Sequence, residues 1–146
     1  MDKEAIEAVS IAGFLHDLGN IGVSEQILQK TTRLNKGEFR HVKQHVIIGT
    51  RIVESMCLNP EIVDGIRYHH ERLDGSGYPF NLSGKDIPLI SRILAVADVF
   101  DAMMTDRSYR KAFSMKNTII ELKNRANASD SCDCELDSKV VDVLIH

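Results

Sequence analysis

His69-His70-Glu71-Arg72-Leu73-Asp74-Gly75-Ser76-Gly77-Tyr78-Pro79 is the stretch on which the reading of this chain turns. Two adjacent imidazoles run straight into a glycine-punctuated turn, a pattern that few purely structural needs explain. Upstream, Pro60 fits the first turn of a helix, and Ile62, Val63 and Ile66 carry its apolar face up to the histidines. Downstream, Gly75, Gly77, Pro79 and Gly84 make the segment from Glu71 to Asp86 a loop. The stretch therefore reads as metal ligands at a helix end beside a loop that shapes a substrate site.

Helical periodicity extends outward in both directions, and strand alternation is absent, so the fold class is all-α. Ile6, Val9, Ala12 and Gly13 mark one face of a first helix that ends near Asp17, where Gly19, Asn20 and Gly22 interrupt it. Ser24 reads as the N-cap of a short helix through Leu28. Asn35 with Glu38 forms a capping arrangement for a long helix, with Phe39, Val42, Val46, Ile47, Ile52 and Val53 as its apolar positions and an end near Cys57. Pro88 starts another helix through Ile93, Ala97 and Phe100 to about Thr105, and Ser114 caps one covering Ile119, Ile120 and Leu122. A last helix spans Ser138 to Ile145, and the polar stretch from Asn124 to Asp137 is the expected mobile segment.

With 146 residues the chain is long enough for one domain with a sizeable core and no structural staple, so a metal here would be chemical. A net charge of -3 gives no electrostatic footprint for duplex nucleic acid, and 5% aromatic content without tryptophan argues against a base-stacking platform. No apolar run approaches the roughly 20 residues that span a bilayer, and no signal peptide opens the chain, which predicts no membrane insertion and a cytoplasmic location. The cysteine count of three is odd and suits reduced thiols, with Cys132 and Cys134 too few for a thiolate metal site.

A second His/Asp pair, His16-Asp17, stands just before Gly19. Helical neighbours point about 100° apart, so this pair converges on one centre only at a helix end or by bridging two ions, and Gly19 provides that end. Alone it would read as an exposed helix terminus; with two further clusters it reads as part of a site. Asp98 lies in the apolar run from Ile93 to Phe100, where an ionised carboxylate costs several kcal/mol unless it is paired or metal-bound. Asp101, one turn on, reads as a residue that orients a ligand, and His41 with His45 has the spacing of a paired zinc motif.

Together these motifs resemble the HD-GYP subgroup of the HD superfamily of metal-dependent phosphohydrolases. The resemblance is carried by His16-Asp17-Leu18-Gly19-Asn20-Ile21-Gly22, by Lys43-Gln44-His45, by residues 69–79, by Ile87-Pro88 and by residues 97–112. It implies a compact helical bundle with a long glycine-rich loop that hydrolyses cyclic di-GMP in bacterial signalling, using two or three divalent ions, iron or manganese. On this resemblance His16, Asp17, His45, His69, His70 and Asp98 are the metal ligands, and Asp17 is the bridging carboxylate. Gly77, Tyr78 and Pro79 form the signature loop at the substrate, and Arg107 and Arg110 contact its phosphates or guanines. It implies a cyclic dinucleotide ligand, a diguanylate cyclase domain as partner and an upstream sensory or receiver domain in the full-length protein.

Two departures from the family pattern stand out. Asn20 occupies the catalytic position where the family usually carries lysine, which removes an ammonium from beside the scissile phosphate. The chain also begins within the helix that bears His16, so the single domain over 1–146 is expected to lack the family's first helices and the further ligands they supply. Three functions follow: a cyclic di-GMP phosphodiesterase, a degenerate receptor or protein-interaction domain with little turnover, or another HD-type nucleotide phosphohydrolase.

Overall fold

Most helix starts among the described residues are set by short polar side chains. Asp2, Asn35, Asn59, Ser114 and Asp137 each accept a hydrogen bond from a backbone N–H of the turn that follows, and Asn35 with Glu38 closes a full capping box. A computed structural model describes residues 1–106, 110–127 and 134–146. Among them the helices are α1 (Lys3–Leu15), α2 (Glu25–Leu28), α3 (Lys36–Ser55), α4 (Pro60–Tyr68), α5 (Leu89–Met104), α6 (Met115–Ala126) and α7 (Ser138–Ile145). A 3-10 turn over Leu18–Gly22 links α1 to α2, and a second over Gly84–Asp86 precedes α5. No strand occurs among the described residues, so the all-α expectation holds.

Two apolar clusters form the core, and α5 runs through both. Ala8, Ala12, Val53, Ile62, Val63 and Ile66 bury the facing sides of α1, α3 and α4 against Ile90 and Leu94. Further along α5, Ala95, Val96, Val99 and Met103 pack on Leu122 and Ala126 of α6, on Leu136 and on Val141 of α7. Burial of a large aliphatic side chain contributes about 1.5–3 kcal/mol, so these clusters hold the helix ends that carry the histidines in fixed positions. Arg92 on α5 bonds Asp137 at 2.7 Å and so ties the start of α7 to the same spine.

Some expectations shift for physical reasons. Ile6 is exposed, whereas Ala8 and Ala12 are buried in the core and Val9 packs against its edge. Phe39 falls on the apolar stripe of α3 yet is exposed, since the stripe outruns the core by a turn at the helix start. The expected mobile segment is ordered at both ends: Asn124 lies within α6, and Glu135 and Leu136 donate backbone hydrogen bonds to the Arg125 carbonyl while Leu136 is fully buried. Residues 128–133, which include Cys132, lie outside the described residues.

Candidate metal centre

Close backbone approach positions the first candidate ligands. The 3-10 turn after α1 presses on α3 so tightly that a Cβ on Gly19 would sit 1.8 Å from the His45 carbonyl oxygen and 2.5 Å from the Gly49 nitrogen. Only glycine fits there, and the contact fixes the His16-Asp17 pair against the middle of α3. His16 is the C-cap of α1 and His69 the C-cap of α4, so both sit where a helix stops and its last carbonyls are open.

Those carbonyls set the tautomers. Nδ1 lies 2.7 Å from Gly13 O in His16, 2.7 Å from Val42 O in His45 and 2.6 Å from Ile66 O in His69. A carbonyl only accepts, so each Nδ1 carries a proton and, in the neutral ring, each Nε2 offers a lone pair. The Nε2 atoms of His45 and His69 stand 3.5 Å apart, and one ligand nitrogen from each of His45, His69 and His70 falls within 4.8 Å of the others. Burial pushes the His69 imidazole down to about 3, opposed by its bond to the Ile66 carbonyl. His70 is likewise driven far below the ordinary imidazole range, first by burial and then by His69, His45 and Arg72. Pre-oriented imidazoles with converging Nε2 atoms are a donor set of the chemistry that would suit a divalent ion.

Carboxylates complete the set from both sides. Asp17 places Oδ2 at 3.4 Å from His16 Nε2 and Oδ1 at 3.6 Å from His45 Nε2, so its two oxygens face two different histidines. His70, its ring 4.1 Å from that of His69, points Nδ1 at Asp98 Oδ2 3.8 Å away. The structure thus brings His16, Asp17, His45, His69, His70 and Asp98 into one connected chain of contacts. Asp98 is half-buried rather than enclosed in apolar surroundings, which reduces the desolvation cost that the sequence suggests. His41 is exposed on α3 and lies outside the cluster.

The loop over residues 71–86 is organised by a group that the sequence reading passed over. Glu71 is 2% exposed, and its carboxylate accepts hydrogen bonds from Phe80 N at 2.7 Å and Leu82 N at 3.0 Å. Its own position follows from the histidine pair, because it is the next residue along. A Cβ on Gly77 would lie 2.4 Å from both Arg72 N and Glu71 Cα, so this glycine lets the loop fold back over the end of α4. Tyr78 N donates to His70 O, and the Tyr78 ring stacks on the His70 ring at 4.6 Å. Burial raises the Tyr78 phenol far above its ordinary range, so it is a neutral donor. A cis peptide joins Tyr78 to Pro79.

Other expected site residues sit further out. Asn20 lies half-buried in the 3-10 turn after Asp17. Arg110 donates to Ala102 O at 2.6 Å and Lys111 O at 2.8 Å, and its guanidinium lies over Phe113 at 4.6 Å. It closes the carboxy end of α5 while lining a cavity of about 350 Å³ together with Asp98, Phe113, Glu121 and Arg125. Arg107 lies outside the described residues. Cys57 is exposed and Cys134 partly so, each a free thiol apart from the histidines.

Comparison with known proteins decides the family. The profile of the HD domain matches residues 1–133. The chain belongs to the HD-domain family. Its His-His pair and Gly77-Tyr78-Pro79 loop set this HD domain in the HD-GYP group. It is 36% identical over 146 residues to 3'3'-cGAMP-specific phosphodiesterase 1 of Vibrio cholerae serotype O1, covering 100% of this chain and 33% of that protein. It is 38% identical over 118 residues to the cyclic di-GMP phosphodiesterase response regulator of Xanthomonas campestris pv. campestris, covering 79% and 31%. A cyclic di-GMP phosphodiesterase of Thermotoga maritima is 39% identical over 127 residues, covering 85% and 34%. The HD domain described here therefore spans about one third of the length of these relatives. Among the described residues no helix is long and apolar enough to cross a membrane.

Proposed function

We propose that this chain is the hydrolytic domain of a metal-dependent phosphodiesterase acting on a 3',5'-cyclic dinucleotide, with cyclic di-GMP as substrate. The observation that carries the reading is the convergence of the His16 and His45 Nε2 atoms on Asp17 and of His69 Nε2 on His45 Nε2, each imidazole locked by a carbonyl on its other nitrogen. Names of the relatives, all phosphodiesterases of cyclic dinucleotides, support the substrate class. His16, Asp17, His45, His69, His70 and Asp98 would hold two or three divalent ions, and mixed imidazole and carboxylate ligation suits iron or manganese. Bound ions would supply Lewis acidity to the phosphoryl oxygens and to the attacking water.

This chain's own residues do the rest. Asp17, exposed between His16 and His45 with one oxygen toward each, would be the carboxylate that ions held there share, the role the family resemblance implies. Tyr78 keeps its proton and donates to a substrate oxygen, while Glu71 and Gly77 hold the loop that aims it. Arg110 stands at the cavity beside Asp98, and Arg107 is assigned with it to the ligand's phosphates or guanines on the family resemblance. We further propose an upstream sensory or receiver domain and a diguanylate cyclase domain as partner, in a cytoplasmic protein.

Asn20 favours a second reading, a receptor with little turnover, because an amide brings no charge and charge-assisted bonds are roughly twice as strong as neutral ones. Anaerobically purified, metal-loaded protein incubated with cyclic di-GMP separates the two. Release of the linear dinucleotide or GMP supports the hydrolase; saturable binding without product supports the receptor. If Asn20 limits the rate, Asn20→Lys raises single-turnover hydrolysis by about 10²- to 10³-fold at matched metal occupancy.

A further inference from the structure

We propose that Lys43, on α3, is the counter-charge for the second phosphodiester of the cyclic dinucleotide, the one that the metal centre does not hold. This rests on the substrate class proposed above. The Lys43 ammonium lies 4.6 Å from the centroid of the Tyr78 ring and 4.9 Å from that of Phe39, and these two rings meet edge to face. Tyr78 in turn stacks on His70, so the cation is held one aromatic ring away from the candidate ligands. Lys43 also precedes His45 by two residues on the same helix, which fixes its stem relative to the cluster.

Three features distinguish it from an ordinary surface lysine. First, it is half-buried and forms no ion pair with a carboxylate of the described residues, whereas Lys30, on the chain segment before α3, takes Glu38 at 2.7 Å. Second, two aromatic faces hold the ammonium, and such cation–π contacts contribute about 0.5–1 kcal/mol at exposed sites, enough to favour one position of a flexible side chain. Third, the exposed Phe39 has no core to join; its ring is used on Tyr78 and Lys43. A cyclic dinucleotide carries two anionic phosphodiesters across one ring. With one held at the candidate metal centre, the other needs a positive group, and Asn20, in the turn after Asp17, is a neutral amide. Lys43 is a cation held by two rings, with no carboxylate paired to it among the described residues, at the rim of the same site.

The test is equilibrium binding of the bis-phosphorothioate analogue of cyclic di-GMP, chosen because it resists hydrolysis, against binding of GMP, which has a single phosphate. Lys43→Met keeps the stem against the rings and removes the charge; Lys43→Arg keeps charge and stacking. The proposal expects Lys43→Met to bind the analogue about tenfold more weakly, the loss of one charge-assisted contact, with a shallower salt dependence and unchanged metal content. It expects GMP affinity to fall far less, and Lys43→Arg to restore most of the analogue affinity. Equal affinity of wild type and Lys43→Met for the analogue overturns the proposal while leaving the proposed function intact. So does an equal loss in both variants accompanied by a lowered melting temperature, which assigns Lys43 to packing alone. Wild-type protein that binds neither ligand with metal loaded overturns the proposed function, and the role of Lys43 with it.

Discussion

His45 and His69 present their Nε2 atoms to each other at 3.5 Å, although both rings already donate from Nδ1 to a backbone carbonyl. Two neutral rings so arranged oppose lone pair to lone pair, and a cation between them converts repulsion into ligation. Metal should therefore stabilise the fold. At a free concentration 100 times its dissociation constant, a bound ion adds about 2.7 kcal/mol. Chelation should lower the melting temperature by several degrees in differential scanning calorimetry, and readdition of manganese or ferrous ion should restore it. An identical melting temperature with and without chelator would count against the centre.

Gly19→Ala should be among the most damaging single-methyl changes in the protein. The added carbon would need the space of the His45 carbonyl, 1.8 Å away, and neither α3 nor the 3-10 turn can yield without moving a candidate ligand. Overpacking of this kind costs about 1–3 kcal/mol, with more expected here because the obstacle is backbone. Denaturant unfolding measures the loss, and metal content should fall with it. Wild-type stability in Gly19→Ala would show that the turn does not press on α3.

Glu71→Gln should loosen the loop without emptying the centre. The amide keeps one acceptor oxygen and turns an NH2 toward a backbone N–H, so either Phe80 or Leu82 loses its partner. A buried donor left unsatisfied costs about 1–3 kcal/mol. Hydrogen exchange at the Phe80 and Leu82 amides should accelerate, and cyclic dinucleotide affinity should drop as Tyr78 loses its fixed position. Protection equal to wild type at both amides would remove Glu71 from this role.

Stability of the metal-free protein should fall on acidification before most carboxylates titrate. Unfolded chain takes up a proton at His69 near the ordinary value of about 6.5, but the buried ring resists down to about 3. Within that window the unfolded state binds more protons, so stability is complete above it and declines as pH drops through it. His70 shifts in the same direction. The slope contributed by His69 is at most about 1.4 kcal/mol per pH unit. Urea unfolding of chelated protein between pH 7 and 5 should show the decline, and His69→Leu should flatten it; a stability that rises toward pH 5 contradicts the burial argument.

Most helix boundaries, and the histidines and carboxylates that the fold gathers, were legible because each has a local cause. Asn35 and Glu38 cap α3 by their own side chains, Pro60 opens α4, and His16 and His69 sit at helix ends that glycine or the loop enforces. What the sequence hid depends on contacts far apart in the chain. Glu71 carries no pattern of its own, since its role comes from the N–H groups of Phe80 and Leu82. Phe39 matches the helical apolar period as well as a core residue does, and only the position of Tyr78 reveals its other use. Arg110 reads as a phosphate ligand by motif, yet part of its donor capacity closes α5 at Ala102. Lys43 stands in the Lys43-Gln44-His45 motif, but its place against Tyr78 shows only once the loop lays that ring beside it.

The most direct test of the central claim is the number of transition-metal ions per chain, by elemental analysis of protein purified without oxygen, for wild type and Asp17→Asn. Asp17 is more than half exposed and supports no part of the core, so the variant should fold normally while losing the group that faces both His16 and His45. The account predicts two or more ions of iron or manganese per wild-type chain, as the family resemblance implies, and a clear loss in Asp17→Asn at unchanged helical content. Wild-type protein that carries no ion, and neither binds nor gains stability from added iron or manganese, would contradict it.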